Sequence, residues 1–488
     1  MGLRQPSLHM PVDPERIRLL NAASARENAD YVLYWSQANR RAGSNHALAH
    51  AAALANAHGL PLLVYEGLTC THPHANDRFH TFILEAVQNN ARDLAKMRAG
   101  YFFYYRARIN EPNDLFYRLA ARARTVVTDD YPTFLAARFN ATVPGRLGVE
   151  CVAVDASCVV PMSLRDKRQY GAYTIRPRIH RELPRFLRPL EPGRLKMPWY
   201  DGLLPNEVAK LRTAVTGASI PALVKSAEIS HAVAPSISFH GGSDAAQERL
   251  EKFLEQRLRR YAREASQPSC RATSELSPYL HFGQISVLEV ALAARDYADA
   301  HSLMAGEYLE QLIVRRELAF NFARFTAAPE SLEVLPDWCR RTLAKHASDP
   351  RPHVYTSEQF ERANTHDSLW NAAQRELLLR GTIHGYYRMY WGKKIIEWSS
   401  SHDEALRVMI HLHDVYALDG RDPNTYTNIL WCFGLHDRPW SERPIFGQIR
   451  YMSLEGMRRK TDVDAYIRQV DRLERDGGEP GSEQRSLL

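Results

Sequence analysis

Trp391 and Trp398 stand seven residues apart in the segment His384–Trp398, which also carries Arg388, Lys393 and Lys394. Seven residues make two helical turns, so on a helix both indoles return to nearly the same face, about 10 Å apart along the axis. Buried tryptophans are more often core than chemistry. Indoles stacked along a helix beside a run of cations are an odd core, however, and a sensible route for an electron. A second chemically loaded stretch, Thr273-Ser-Glu-Leu-Ser-Pro-Tyr-Leu-His-Phe-Gly-Gln-Ile-Ser286, brings hydroxyls to a helix start near Ser286. Such donors suit phosphate oxygens, although a Ser/Pro-capped helix start alone reads the same way. Leu418-Asp-Gly-Arg-Asp-Pro-Asn424 reads as a polar turn.

Metal chemistry finds little support. The six cysteines form no Cys-x-x-Cys pair, and His411 and His413 have no obvious third ligand. No disulfides are expected, and no iron–sulfur cluster. The net charge of +7 and the pI near 9.0 permit a polyanionic partner without requiring one. No apolar run approaches the roughly 20 residues of a membrane span. The first residues, with Arg4, Asp13 and Glu15, lack the apolar core of a secretion signal. The expectation is a soluble, cytoplasmic protein, monomeric, with neither membrane nor metal among its partners.

At 488 residues, two domains are expected. Strand-length runs at Tyr31–Trp35, Pro61–Tyr65, Tyr101–Tyr105, Thr125–Thr128 and Cys151–Val154 alternate with helical stretches at His46–Ala57, Asp77–Met97 and Asp114–Ala123. That order predicts a Rossmann-like α/β domain with a parallel sheet, over residues 1–188. The absence of G-x-G-x-x-G argues against an ordinary dinucleotide site there. A proline-rich connector follows over 189–238. Helical patterns at Gln247–Ala262, Ser286–Ala300, Glu307–Phe325, Ser368–Leu379 and Arg388–Ser399 predict a mainly α-helical domain over 239–473, with a frayed tail over 474–488.

Together with Glu442-Arg-Pro-Ile-Phe-Gly-Gln-Ile-Arg-Tyr-Met452, these stretches resemble the photolyase/cryptochrome flavoproteins, specifically the class II branch of cyclobutane-dimer DNA photolyases. The resemblance begins near Pro14–Asn21 and is strongest from Ser274 to Met452. It implies an α/β antenna domain joined by a linker to a helical domain that binds FAD without a covalent bond. It implies FAD contacts from Tyr261, Thr273, Ser274, Leu276, Ser277, Arg388, Asp419, Asp422 and Asn424. Arg388 and Asp419 match a salt bridge beside the isoalloxazine. Trp391, Trp370 and Trp398, in that order outward, match a relay that carries electrons to the photoexcited flavin. The implied partner is UV-damaged DNA, whose flipped-out dimer would meet Met389 and Trp431. Phosphate contacts would come from Arg421, Trp440, Arg443 and Arg450.

Two positions and one segment depart from the family pattern. Gln311 stands where the family has a glutamate against the dimer, and an amide cannot supply a proton. Glu310 lies about 100° away around a helix and cannot substitute. His413 stands where class II enzymes carry asparagine beside flavin N5, and a histidine there could make flavin reduction pH-dependent. Around Trp35–Asn45 the acidic residues of the family's antenna motif are missing, which leaves a deazaflavin or other antenna chromophore open. The resemblance therefore implies dimer repair first. The alternatives are a cryptochrome-like photoreceptor or other photoenzyme with weak or no repair, and a light-independent DNA-binding protein with a structural flavin.

Overall fold

The computed structural model describes residues 12–190 and 193–477. Six strands form one sheet: β1 (Ile17–Leu19), β2 (Tyr31–Ser36), β3 (Leu62–Thr69), β4 (Gly100–Arg106), β5 (Ala123–Asp129) and β6 (Cys151–Val154), in the order β1-β6-β5-β2-β3-β4. Strands β2 to β6 pair in parallel, whereas β1 runs antiparallel to β6, with Ile17 opposite Val154. The expectation of a parallel sheet is thus corrected at one edge. β1 is three residues long and largely solvent-facing, so it carries no apolar run to reveal it.

The period of two along β2 sorts its side chains between two cores. Val32 and Tyr34 pack with Ala47, Leu48 and Ala51 of the helix His46–His58, while Tyr31 and Leu33 pack with Phe116 and Leu119 on the other face. Asn45 caps that first helix by accepting from the amides of Ala47 and Leu48, and Gly59 closes it at φ 63°.

The remainder is mainly helical. The stretch expected as one helix over Gln247–Ala262 breaks at Arg257 into Ser243–Gln256 and Leu258–Glu264. The stretch Glu307–Phe325 contains a wide π turn at Glu310–Arg315 before the helix Arg316–Arg324. π turns leave i→i+4 bonding for one stretch and recur at functional sites. The helix Val463–Asp476 runs past the boundary expected at residue 473, and 478–488 lie outside the described residues. No helix among the described residues is long and apolar enough to cross a membrane.

Two of the ties between the halves bear on the site. Arg78, on the helix Asp77–Lys96, donates to the carbonyls of Ala234, Leu377 and Tyr416. Tyr131, beyond β5, donates its hydroxyl to Asp422 at 2.6 Å.

Candidate functional site

Inside the helical domain lies a cavity of about 510 Å³, within the roughly 300–1,000 Å³ range of ligand sites. Thr273, Ser274, Leu276 and Ser277 line one wall, on the loop that leads into the short helix Ser277–His281. Glu275 in that loop sits at φ 55° and is gripped by Arg249, Arg257 and Arg380. Burial would raise its carboxyl pKa, but the three guanidiniums overcome this and hold it well below the usual range.

The helix Gly385–Trp398 supplies the opposite wall with Arg388, Met389, Trp391 and Gly392. Gly392 allows a close helix approach: a Cβ there would meet Cys432 Sγ at 2.8 Å and Met409 Sδ at 3.2 Å. Arg388 bridges both oxygens of Asp419, at 3.0 and 3.1 Å. Burial disfavours the Asp419 carboxylate, yet Arg388 and a hydrogen bond from Ser277 keep it below its ordinary pKa. Asp422 caps the helix Pro423–Cys432, accepts from the Asn424 amide at 2.8 Å, and also lines the cavity with Asn424. Tyr261 is not on the cavity wall. It packs edge-on against Phe253 and Tyr308, one layer behind.

Two buried polar atoms on this wall lack partners within the protein, His384 Nε2 and Arg388 Nε. Buried polar groups are normally hydrogen-bonded, so the pair points to a ligand. His384 escaped the sequence reading. It precedes the helix as its cap, with Nδ1 accepting from the Tyr386 amide at 3.3 Å, and a capping role leaves no separate sequence signal.

Trp391 leads from the cavity into the core. Its indole stacks on Trp370 at 6.1 Å with the planes 3° apart, and Trp370 meets Trp398 edge-on at 6.3 Å. Trp391 Nε1 donates to Gln374 Oε1, and Trp370 Nε1 donates to the Trp391 carbonyl. Trp370 arrives from another helix, Ser368–Arg380, and sits against both of the others. The three indoles thus form an unbroken series leading from the cavity wall to Trp398.

His413 touches Trp391 edge-on at 5.1 Å and faces the cavity. Its Nδ1 lies 2.8 Å from the Met409 carbonyl, which can only accept, so the ring proton sits on Nδ1 and Nε2 keeps its lone pair. Burial, and then the Arg388 charge, push its pKa far below the ordinary histidine value. The expected pH switch near neutrality is therefore corrected: His413 is neutral. Because the unfolded ring takes up a proton near pH 6.5 and the folded one only near pH 4, His413 removes stability as pH falls from about 6.5 to about 4. The His413 ring should show no titration between about pH 6 and 8 by NMR. A step in that range that vanishes in His413→Asn would overturn this.

The sequence profile of the DNA photolyase family matches residues 32–195. A deoxyribodipyrimidine photo-lyase of Methanothermobacter thermautotrophicus is 38% identical over 460 residues, covering 94% of this chain and 98% of its own. The chain belongs to the photolyase family. A second deoxyribodipyrimidine photo-lyase, from Oryza sativa, is 37% identical and covers 96% of this chain and 92% of its own. A class III photolyase from Agrobacterium tumefaciens superposes with a TM-score of 0.63 at 17% identity, covering 94% of both chains. A Synechocystis cryptochrome gives 0.64 at 16%, covering 91% of this chain and 89% of its own. These two establish the shared photolyase/cryptochrome fold.

In this photolyase-family chain Gln311 lines the cavity, on the π turn and solvent-facing, while Glu310 turns aside to pair with Arg176 at 2.7 Å. Glu317 is buried elsewhere, bound to the Val160 amide and Arg165, and burial pushes it up to about 7. Trp431, Arg450 and Trp440 form a surface ladder, with the Arg450 guanidinium 5.7 Å from one ring centroid and 5.1 Å from the other. Arg443 is exposed, over Tyr451.

Arg421 is a correction. It is 2% exposed, donates to the carbonyls of Asp414 and Ala417, and stacks over Phe79 at 3.8 Å. At φ 62° its backbone turns the side chain inward, so it knits the domains together and reaches no phosphate.

A second cavity lies at the topological switch between β2 and β5, where such sheets bind ligands, and His281, Phe282 and Arg421 of the helical half also line it. Its volume is about 140 Å³, below the roughly 300 Å³ of even small ligand sites. Trp35 stands over it against Phe116 at 4.1 Å, and Gln37 is tied to Thr128 and Asn140. As shaped here, the cavity is smaller than a tricyclic antenna. Mixing the protein with a deazaflavin should leave a purely additive absorption spectrum; a shifted band would contradict this.

Proposed function

We propose that the chain is an FAD-dependent, light-driven electron-transfer enzyme of the class II photolyase kind that splits cyclobutane pyrimidine dimers in DNA. The observation that carries this reading is one cavity joining hydroxyl donors, an Arg–Asp pair and the end of a tryptophan stack. The residues fit FAD: Thr273, Ser274 and Ser277 offer donors to its phosphates, and the partnerless atoms of His384 and Arg388 offer hydrogen bonds. Bound there, FAD supplies light absorption and one-electron chemistry.

The protein's residues do the rest. Arg388 would set a permanent positive charge beside the bound cofactor, and Asp419 keeps that guanidinium from being an isolated buried charge. His413 presents a lone pair at Nε2, so it accepts a hydrogen bond and donates none. Met389 offers the lesion an apolar wall, and the Gln311 amide can donate to a dimer carbonyl. The Trp431–Arg450–Trp440 ladder suits a phosphate backbone with neighbouring bases.

Gln311 also favours the second reading, a photoreceptor or photoenzyme with little repair. A neutral amide stabilises a dimer radical anion less well than a proton-donating carboxyl, so splitting should suffer more than binding. Photoreduced protein mixed with dimer-containing DNA should restore intact pyrimidines under blue light and not in the dark. Gln311→Glu should raise repair per absorbed photon severalfold while leaving DNA affinity unchanged. No repair by the wild type, and none gained in Gln311→Glu/His413→Asn, would favour the photoreceptor. Repair without light would defeat both.

A further inference from the structure

Arg443 stands on a tight hairpin whose ends meet at Gly447. The Arg443 amide donates to the Gly447 carbonyl at 2.9 Å, and the Gly447 amide donates back at 2.7 Å. Trp440 joins the same hairpin through its amide, which donates to the Gln448 carbonyl at 2.8 Å. At the tip, Ile445 sits at φ 68°, a left-handed conformation that a β-branched residue keeps only when its surroundings hold it there. Two partners do so. Asp349 accepts from the Ile445 amide at 2.8 Å, and His402 Nε2 donates to the Ile445 carbonyl at 2.9 Å.

His346, at the end of the helix Asp337–Lys345, ties this corner together. Its Nδ1 lies 2.7 Å from Asp349, and its Nε2 lies 2.8 Å from Glu442. Carboxylates only accept, so both ring nitrogens carry hydrogens and the ring is an imidazolium. One side of it thus grips the residue that holds the hairpin tip, and the other grips Glu442 at the hairpin's start.

We propose that His346 is a positioning residue for DNA binding: as an imidazolium bridging Asp349 and Glu442, it holds the hairpin in the pose that presents Trp440 and Arg443 to a phosphate backbone. The inference rests on the DNA reading given above. Loss of one proton would leave a ring lone pair facing a carboxylate, so one bridge would turn repulsive and the strained tip would lose support. The bonds to Glu442, and then to Asp349, raise the His346 pKa above its ordinary value. The clamp is therefore fully present below about pH 6.5, where a detached ring would begin to lose its charge, and is lost as pH rises through the raised value. The surrounding groups do not share this titration. Glu442, paired with Lys345 at 2.6 Å, and Asp349, bonded to the Ile445 amide and near the Arg351 charge, are both held below the usual carboxylate range. Burial lowers the His402 pKa and keeps that ring neutral.

The test is binding of a dimer-containing duplex to the FAD-loaded protein in the dark, from about pH 6 to about 9, with the His346 ring followed by NMR. Wild-type affinity should hold until His346 titrates, then fall severalfold in step with the ring's signal. His346→Gln should bind severalfold more weakly at the acid end and lose that step. Asp349→Asn can still accept from the Ile445 amide but removes one charge from the ring, so the ring titration and the affinity step should both move to lower pH. That second variant keeps the test decisive if His346→Gln folds poorly. No affinity step in the wild type, a step that survives His346→Gln, or a midpoint unmoved in Asp349→Asn would overturn this inference alone. No binding of damaged DNA at any pH would instead overturn the DNA reading on which it rests.

Discussion

Trp391→Phe, loaded with FAD and lit with blue light beside a thiol, should photoreduce its flavin about a hundredfold more slowly than wild type, or about 2.7 kcal/mol of barrier. Phenylalanine fills most of the same space but is far harder to oxidise, so the variant tests redox rather than packing. One side effect must be controlled. Trp391 Nε1 donates to Gln374, which is fully buried, and losing that bond costs about 1–3 kcal/mol. Flavin content and the urea midpoint of the variant separate this from the electron path. Trp370→Phe and Trp398→Phe should slow photoreduction less, because each leaves Trp391 able to give the first electron. A Trp391→Phe protein that keeps its flavin and reduces it at the wild-type rate would show that electrons enter elsewhere.

Asp419→Asn should be the most damaging conservative change at the site. The amide keeps the shape and can keep the Ser277 hydrogen bond, but it leaves the Arg388 charge without its counterion in a largely enclosed setting. Breaking one partner of a buried pair costs about 3–5 kcal/mol, and the residual exposure of Arg388 places this case near the lower end. Urea unfolding of the flavin-free protein reads the loss. Added FAD should recover part of it, since a ligand that binds only the folded state stabilises it. A midpoint equal to wild type would show that solvent already screens the pair.

Much of this was legible in the residues, for reasons that differ by element. The five longer strands announced themselves as apolar runs buried on both faces, whereas β1 had no such run. Trp391 and Trp398 share a helix, so their spacing alone aligned them. Trp370 sits on another helix, and only the family resemblance connected it to them. The π turn at Glu310–Arg315 was invisible because hydrophobic periodicity cannot register a single widened turn. Arg421 and His413 depart from what their sequence context implies for a common reason. Sequence gives the type of a charged or titratable group, but its burial decides what that group can do. In one case a guanidinium faces inward, and in the other an imidazole cannot take up a proton.

The hydroxyl that Tyr131 lends to Asp422 has a consequence for how the two halves of the molecule can be separated. Asp422 stands at the cavity and caps the helix behind it, so a bond from the α/β half helps set the position of the cavity's floor. Cutting the chain at the connector would strip that buttress and the Arg78 clamp together. On that mechanical ground, which has nothing to do with collecting light, an isolated helical half should bind added FAD more loosely than the full chain.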